Sequence, residues 1–204
     1  GDAGLNISGS LTGTYASTGS ISEIVLGGDL ADTGIIVIDG DLGRLVVTGD
    51  LSGKVHVTGS IGQIIAANVT ETAVITARGN IDSVQVSGSV SHSYILAGFD
   101  PGLVSAVSGG VFGATELTVD GTAADGNEAA LTGSIHTVQI GILFDSVIAA
   151  GVSPGSNAVF GDTDGTDVPG PGNSSIGTVY LGAAQGDDSA SPYGIFADSN
   201  IARL

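Results

Sequence analysis

A short phrase recurs along the chain: glycine, then Ser, Asp or Asn, then Ile, Leu or Val. It stands at Gly9-Ser10-Leu11, Gly19-Ser20-Ile21, Gly28-Asp29-Leu30, Gly40-Asp41-Leu42, Gly49-Asp50-Leu51, Gly59-Ser60-Ile61, Gly79-Asn80-Ile81, Gly88-Ser89-Val90 and Gly133-Ser134-Ile135. Degenerate copies stand at Ala67-Asn68-Val69, Ser174-Ser175-Ile176 and Ser199-Asn200-Ile201. Self-similarity at a fixed period decides architecture before any single residue does.

The phrases alternate between two kinds. After the first kind a short apolar strand follows, as in Ile24-Val25-Leu26, Leu45-Val46-Val47, Ile64-Ile65-Ala66, Val84-Gln85-Val86, Val138-Gln139-Ile140 and Val179-Tyr180-Leu181. After the second kind come Ile36-Val37-Ile38, Val55-His56-Val57, Val74-Ile75-Thr76, Tyr94-Ile95-Leu96, Val147-Ile148-Ala149 and Ile195-Phe196-Ala197. Ile21, Leu42, Ile61 and Ile81 lie 21, 19 and 20 residues apart, so one period holds two half-units. Short β-branched runs bounded by glycine read as strands between tight turns. No stretch keeps a helical period over three turns. Alternation predicts one inward row and leaves Val25, Val46, His56, Gln85, Gln139 and Tyr180 facing out.

One repeat alone cannot bury its apolar face, but stacked repeats can. The predicted fold is therefore all-β: a single-stranded right-handed parallel β-helix, or β-solenoid, of about seven coils and roughly 35 Å at the strand spacing. It forms one domain over residues 1–204, with long loop insertions over 98–132 and 150–174. Corner glycines are expected to supply backbone angles that other residues resist. The Ser, Asp or Asn that follows is expected to bond the turn backbone. Leu5-Asn6-Ile7 already reads as a strand, and Ala202-Arg203-Leu204 stops within a repeat. The expectation is a processed piece of a longer array, or a subunit whose ends stack on others.

Composition narrows the function. Four Lys and Arg stand against 21 Asp and Glu, a net charge of −17. Nucleic acid is excluded as a partner, because its affinity rests on cationic side chains at phosphates. Divalent cations are the natural counterions, and the charge also keeps a rod soluble. The chain has no Cys, so disulfide and thiol chemistry are absent. No apolar run reaches the length of a transmembrane segment.

The two insertions share internal similarity and leave the same corner of neighbouring repeats, so they should lie side by side. One carries Asp120, Asp125 and Glu128, and the other Asp162, Asp164 and Asp167. Carboxylates at near-alternate places in glycine-rich loops present oxygens to one hard cation, so calcium is the candidate cofactor and these six residues its candidate ligands. The pattern is not an EF-hand, because Asn173 stands where the closing Glu belongs. The alternative is a solvated turn. A shorter loop is expected from Gly182 to Gly194.

Catalytic signals are weak. His56, His92 and His136 have no second His at ligand spacing, and His92 and His136 are placed in or near turns. No nucleophile elbow or phosphate loop occurs. The cations Arg44, Lys54, Arg78 and Arg203 are assigned to different rows of the repeat, away from the acidic loops. No catalytic residue is assigned, and a polysaccharide lyase or hydrolase is the weakest reading.

Residues 59–65 (GSIGQII) and 174–182 (SSIGTVYLG), with 97–102 (AGFDPG) and 191–197 (SPYGIFA), resemble repeats of very large secreted bacterial β-strand-repeat surface proteins, planctomycete-like ones included. The resemblance covers most of residues 20–204. It implies a right-handed parallel β-helix, an extracellular or cell-surface location, and a role as surface-layer, adhesin or matrix material. The expected function is a structural segment of a bacterial cell surface or extracellular fibre, self-associating end to end. An adhesin-like module for a glycan or calcium is the alternative.

Overall fold

The computed structural model describes residues 4–70, 73–100, 129–153, 168–186 and 194–204. All calcium candidates, Asp120, Asp125, Glu128, Asp162, Asp164 and Asp167, lie outside the described residues, as do Asp187 and Asp188. The described chain is all-β, and among its residues no helix is long and apolar enough to cross a membrane. Its strands are β1 (Leu5–Ile7), β2 (Thr14–Ser17), β3 (Ile24–Leu26), β4 (Ile35–Ile38), β5 (Leu42–Leu51), β6 (Lys54–Val57), β7 (Ile61–Val69), β8 (Val74–Ala77), β9 (Ile81–Ser91) and β10 (Tyr94–Ala97). There follow β11 (Phe99–Asp100), β12 (Ala129–Ala130), β13 (Ile135–Phe144), β14 (Val147–Ala150), β15 (Val152–Ser153), β16 (Val168–Pro169), β17 (Ser175–Gln185), β18 (Gly194–Ala197) and β19 (Asn200–Arg203).

The chain alternates between two parallel sheets. The first runs β1-β3-β5-β7-β9-β13-β17-β19, and the second β18-β14-β10-β8-β6-β4-β2. Residues one period apart are therefore neighbours. Leu5, Ile24, Leu45, Ile64, Val84, Val138 and Val179 are in register across the first sheet. So are Ile7, Leu26, Val47, Ala66, Val86, Ile140 and Leu181. Ile36, Val55, Ile75, Ile95 and Ile148 face them from the second sheet, and one buried cluster joins both sets. Leu181, at the last full strand, is only partly buried.

The two sheets differ on their outer faces. In the first, Gln85, Gln139 and Tyr180 are exposed, as alternation predicts. In the second, Ile35, Val37, Val74, Leu96, Val147 and Ala149 are buried as well. This corrects the expectation that His56 faces solvent: it points away from the main core yet is 1% exposed. Phe99 of β11 and Val152 of β15 pack with Val74, Leu96, Val147 and Ala149, which gives the sheet a second apolar layer. Parallel strands covered on both faces read as continuous apolar runs, and Ile35-Ile36-Val37-Ile38 is one.

Glycine has a different role from the one expected. Of the glycines that open a phrase, only Gly40 has a left-handed φ, at 148°. Gly28, Gly49, Gly59, Gly79, Gly88 and Gly133 are required by close approach. A Cβ at Gly49 would meet Asp29 Oδ1, at Gly79 Ser60 Oγ, and at Gly88 Asn68 Oδ1. Those oxygens belong to the preceding repeat, and they accept from the backbone amide just after each glycine. In one row Asp41 N–H donates to Ser20 Oγ (2.9 Å), Ser60 N–H to Asp41 Oδ1 (2.8 Å) and Asn80 N–H to Ser60 Oγ (3.1 Å). The row continues with Ser134 N–H to Asn80 Oδ1 (2.9 Å) and Ser175 N–H to Ser134 Oγ (3.0 Å). In the other row Asp29 N–H donates to Ser10 Oγ (2.9 Å), Asp50 N–H to Asp29 Oδ1 (2.9 Å) and Ser89 N–H to Asn68 Oδ1 (3.0 Å). The Ser, Asp or Asn thus bonds the next repeat rather than its own turn.

Two consequences are measurable. Val47 is 1% exposed, so Val47→Asp buries an unpaired charge and should cost several kcal/mol. Val46→Asp, one residue away on the open face, should cost under about 1 kcal/mol. Equal denaturation midpoints for the two variants would overturn the inward assignment of that row. Second, Gly49→Ala drives its methyl into Asp29, so the penalty should shrink when Asp29→Ala is also present. A double-mutant cycle should give a coupling of at least about 1 kcal/mol, and additive penalties would refute the clearance role of the glycine.

Candidate functional site

The loop stems bring polar groups to the second sheet. Gly98 and Gly151 follow paired residues, Ala97 and Ala150, and both have φ +63°. A left-handed residue turns the chain out of the sheet there, and a Cβ at Gly98 would lie 2.6 Å from Gly133 N. Each exit leads into a short antiparallel pair, β11 with β12 and β15 with β16. The stems of both insertions therefore leave from matching positions in adjacent repeats, as expected. Two boundaries move: Ala150 completes β14, and β17 extends through Gly182 to Gln185.

Beneath the first stem lies a polar cluster. Arg78, just after β8, pairs with Asp100 of β11, at 2.8 Å to Oδ2 and 3.0 Å to Oδ1. Both carboxylate oxygens are thus engaged by one guanidinium nitrogen, Nη2. One repeat away, His56 Nδ1 lies 2.7 Å from Thr76 Oγ1. Thr76 Oγ1 donates to the Val55 carbonyl at 3.4 Å, so the pattern assigns the imidazole proton to Nδ1. Among the described residues Nε2 is buried without a hydrogen-bond partner. Burial, then the nearby Arg78 charge, push the His56 pKa down to about 4, against a smaller opposing pull from Asp100. The imidazole is neutral at pH 7. Lys54, on the same strand as His56, also has its pKa lowered by burial.

The remaining cations and histidines are elsewhere. Arg44 pairs with Glu23 at 2.7 Å on an exposed surface, where such a pair contributes under about 1 kcal/mol. Contrary to the sequence assignment, Arg44 and Arg203 share one row, through Gln63, Ser83, Thr137 and Thr178. Five strand steps separate them, roughly 24 Å. His136 lies inside β13 rather than in a turn, with Nδ1 2.9 Å from Asp82 Oδ1. His92 has φ 47° at a corner, with its ring edge-on to Phe144 and Nε2 3.8 Å from Asp145 Oδ2.

Sequence reasoning missed the His56–Thr76 and Arg78–Asp100 contacts. The repeat period contains the signal, since the partners are 20 and 22 residues apart. Applied to polar residues as well as apolar ones, it finds both. On the other sheet a shallow groove of about 420 Å³ runs along the stack, with Val46, Ile65, Gln85 and Gln139 in its lining and no charged residue. Among the described residues no group of three His, Asp or Glu is gathered for a metal ion. The chain matched no protein-family model, no curated protein and no solved structure.

His56 makes stability depend on pH. Its pKa is about 4 folded and near 6.5 unfolded, so the unfolded chain binds the extra proton between these values. Its contribution is complete above pH 6.5, falls as the pH drops toward 4, and changes no further below that. Between pH 7 and pH 4 the wild type should lose about 3 kcal/mol more than His56→Val. Chemical denaturation of both chains across that range measures the difference, and parallel profiles would refute the buried neutral imidazole.

Proposed function

We propose that this chain is a structural segment of a bacterial cell surface or extracellular fibre. In this reading it is a right-handed parallel β-helix of about seven coils, and further coils stack on it end to end. The observation that carries the proposal is the corner ladder, in which each repeat hands the next a side-chain oxygen for its backbone amide. Such a bond binds repeats along the stacking direction, where a stalk or fibre bears load. Calcium is the cation proposed for Asp162, Asp164, Asp167, Asp120, Asp125 and Glu128. No reaction is assigned to the chain.

An adhesin-like role is the second reading. The uncharged groove favours it, because a neutral lining on a chain of net charge −17 suits a neutral polymer such as a glycan.

Assembly tests the structural reading. Repulsion between highly acidic rods opposes end-to-end contact, so calcium should promote it by binding and screening. Light scattering and negative-stain microscopy at rising calcium should show short linear assemblies. Asp162→Asn, Asp164→Asn and Asp167→Asn together should remove the part of the calcium effect that sodium chloride cannot reproduce. Monodisperse chains at every calcium level and concentration would overturn self-assembly.

A further inference from the structure

We infer that the N-terminal edge of the two sheets is a docking surface for one more parallel β-repeat carrying Ser, Asp or Asn at its corner. The inference rests on the structural reading above and names the partner for one end. Two glycines carry it. Gly9 opens the phrase Gly9-Ser10-Leu11, in the same row as Gly28, Gly49 and Gly88. Each of those three keeps space clear for a polar side chain of the preceding repeat: Ser10, Asp29 and Asn68 respectively. At Gly9 nothing among the described residues lies within 4 Å of the position a Cβ would take.

Gly13 repeats the pattern in another row. Its counterparts Gly34 and Gly53, one before the paired residues Ile35 and Lys54, are tightly packed. A Cβ at Gly34 would meet the Leu11 carbonyl at 2.5 Å and Leu30 Cδ1 at 2.6 Å. Around Gly13 the space is again open to 4 Å. Glycine costs conformational entropy wherever another residue would serve. Two rows thus extend their clearance glycines to an edge where nothing within the described residues needs clearance. Leu5, Ile7, Leu11 and Tyr15 line the same edge, partly buried against the core.

The occupant must bring an oxygen to the Ser10 amide. In the ladder that group is Ser10 for Asp29, Asp29 for Asp50, and Asn68 for Ser89. A second copy offering its C-terminal edge meets this demand poorly. Ser89 pairs with Ile142 and Ile142 with Ala183, so that row ends without an acceptor side chain. A repeat resembling Ile24–Arg44 meets it fully, because its Asp29 would stand the required 21 residues before Ser10.

The test joins a copy of residues Ile24–Arg44 directly to Leu5, in place of residues 1–4. The extended chain should melt in one transition, with Tm higher than the parent by at least about 4 °C. Exchange of the Ser10 amide should slow at least about tenfold. Gly9→Ala should leave the parent Tm within about 1 °C and remove most of the gain in the extended chain. A scrambled copy of the added residues should give no gain. An extension that leaves Tm and Ser10 exchange unchanged would overturn the inference, as would Gly9→Ala being equally damaging in both chains. If the extension stabilises but the wild type never assembles, the docking edge stands and only the self-assembly reading falls.

Discussion

The structure depends on one hydrogen bond made again and again: a Ser, Asp or Asn oxygen accepting from the backbone amide of its counterpart in the next repeat. At Gly49, Gly79 and Gly88 the oxygen that reaches the next amide occupies the space a Cβ would take. Glycine therefore precedes the polar residue at nearly every copy. The following Ile, Leu or Val then turns into the core, and Ile21, Leu42, Ile61, Ile81, Ile135 and Ile176 are all buried. Each such bond contributes about 1 kcal/mol, so its larger effect is on register. A one-residue slip would turn every core side chain of a strand outward. The ladder also tolerates insertions, because it spans 54 residues between Asn80 and Ser134 and 41 between Ser134 and Ser175 without a break.

The degenerate copies show where the rule bends. Ala67 stands for glycine before Asn68, and there Asp50 Oδ1 accepts from Asn68 Nδ2 at 2.9 Å. The contact moves from the backbone amide to the side chain, as a Cβ in the clearance position requires. Ser174 also replaces glycine, yet Ser175 N–H still reaches Ser134 Oγ at 3.0 Å. Ser174 Oγ in turn accepts from Gly133 N–H at 3.1 Å, so the extra group is itself paired.

Much of the fold was legible because its code is periodic. The strand centres, the two alternating rows and the inward residues all follow from a repeat of 19 to 21 residues with glycine at the corners. Three things were not legible. The reason for glycine was misplaced, since a left-handed φ and a close approach leave the same residue in a sequence and only neighbours in space separate them. The burial of His56 was missed, because alternation describes one strand and says nothing about what covers the outer face of the sheet, where Phe99 and Val152 pack on Val74, Leu96, Val147 and Ala149. The sharing of one row by Arg44 and Arg203 was also missed, because the insertions between them break the count. The calcium candidates fall in those insertions, where the repeat supplies no neighbour to argue from.

A fold specified by repetition makes function readable as departure from the repeat. The corner phrases are committed to the ladder, so their carboxylates are already engaged by the next repeat: Asp29 and Asp41 by backbone amides and Asp50 by the Asn68 side-chain amide. His56 is such a departure: neighbouring repeats place Val37 and Thr76 at its position. A buried imidazole with one nitrogen unpaired costs more than the valine it replaces in that row. Its position beside the Arg78–Asp100 pair, at the stem of the first insertion, links the outer layer of the second sheet to protonation. The stacked repeats supply the spacing, and among the described residues His56 and the Arg78–Asp100 pair stand where adjacent repeats stop being identical.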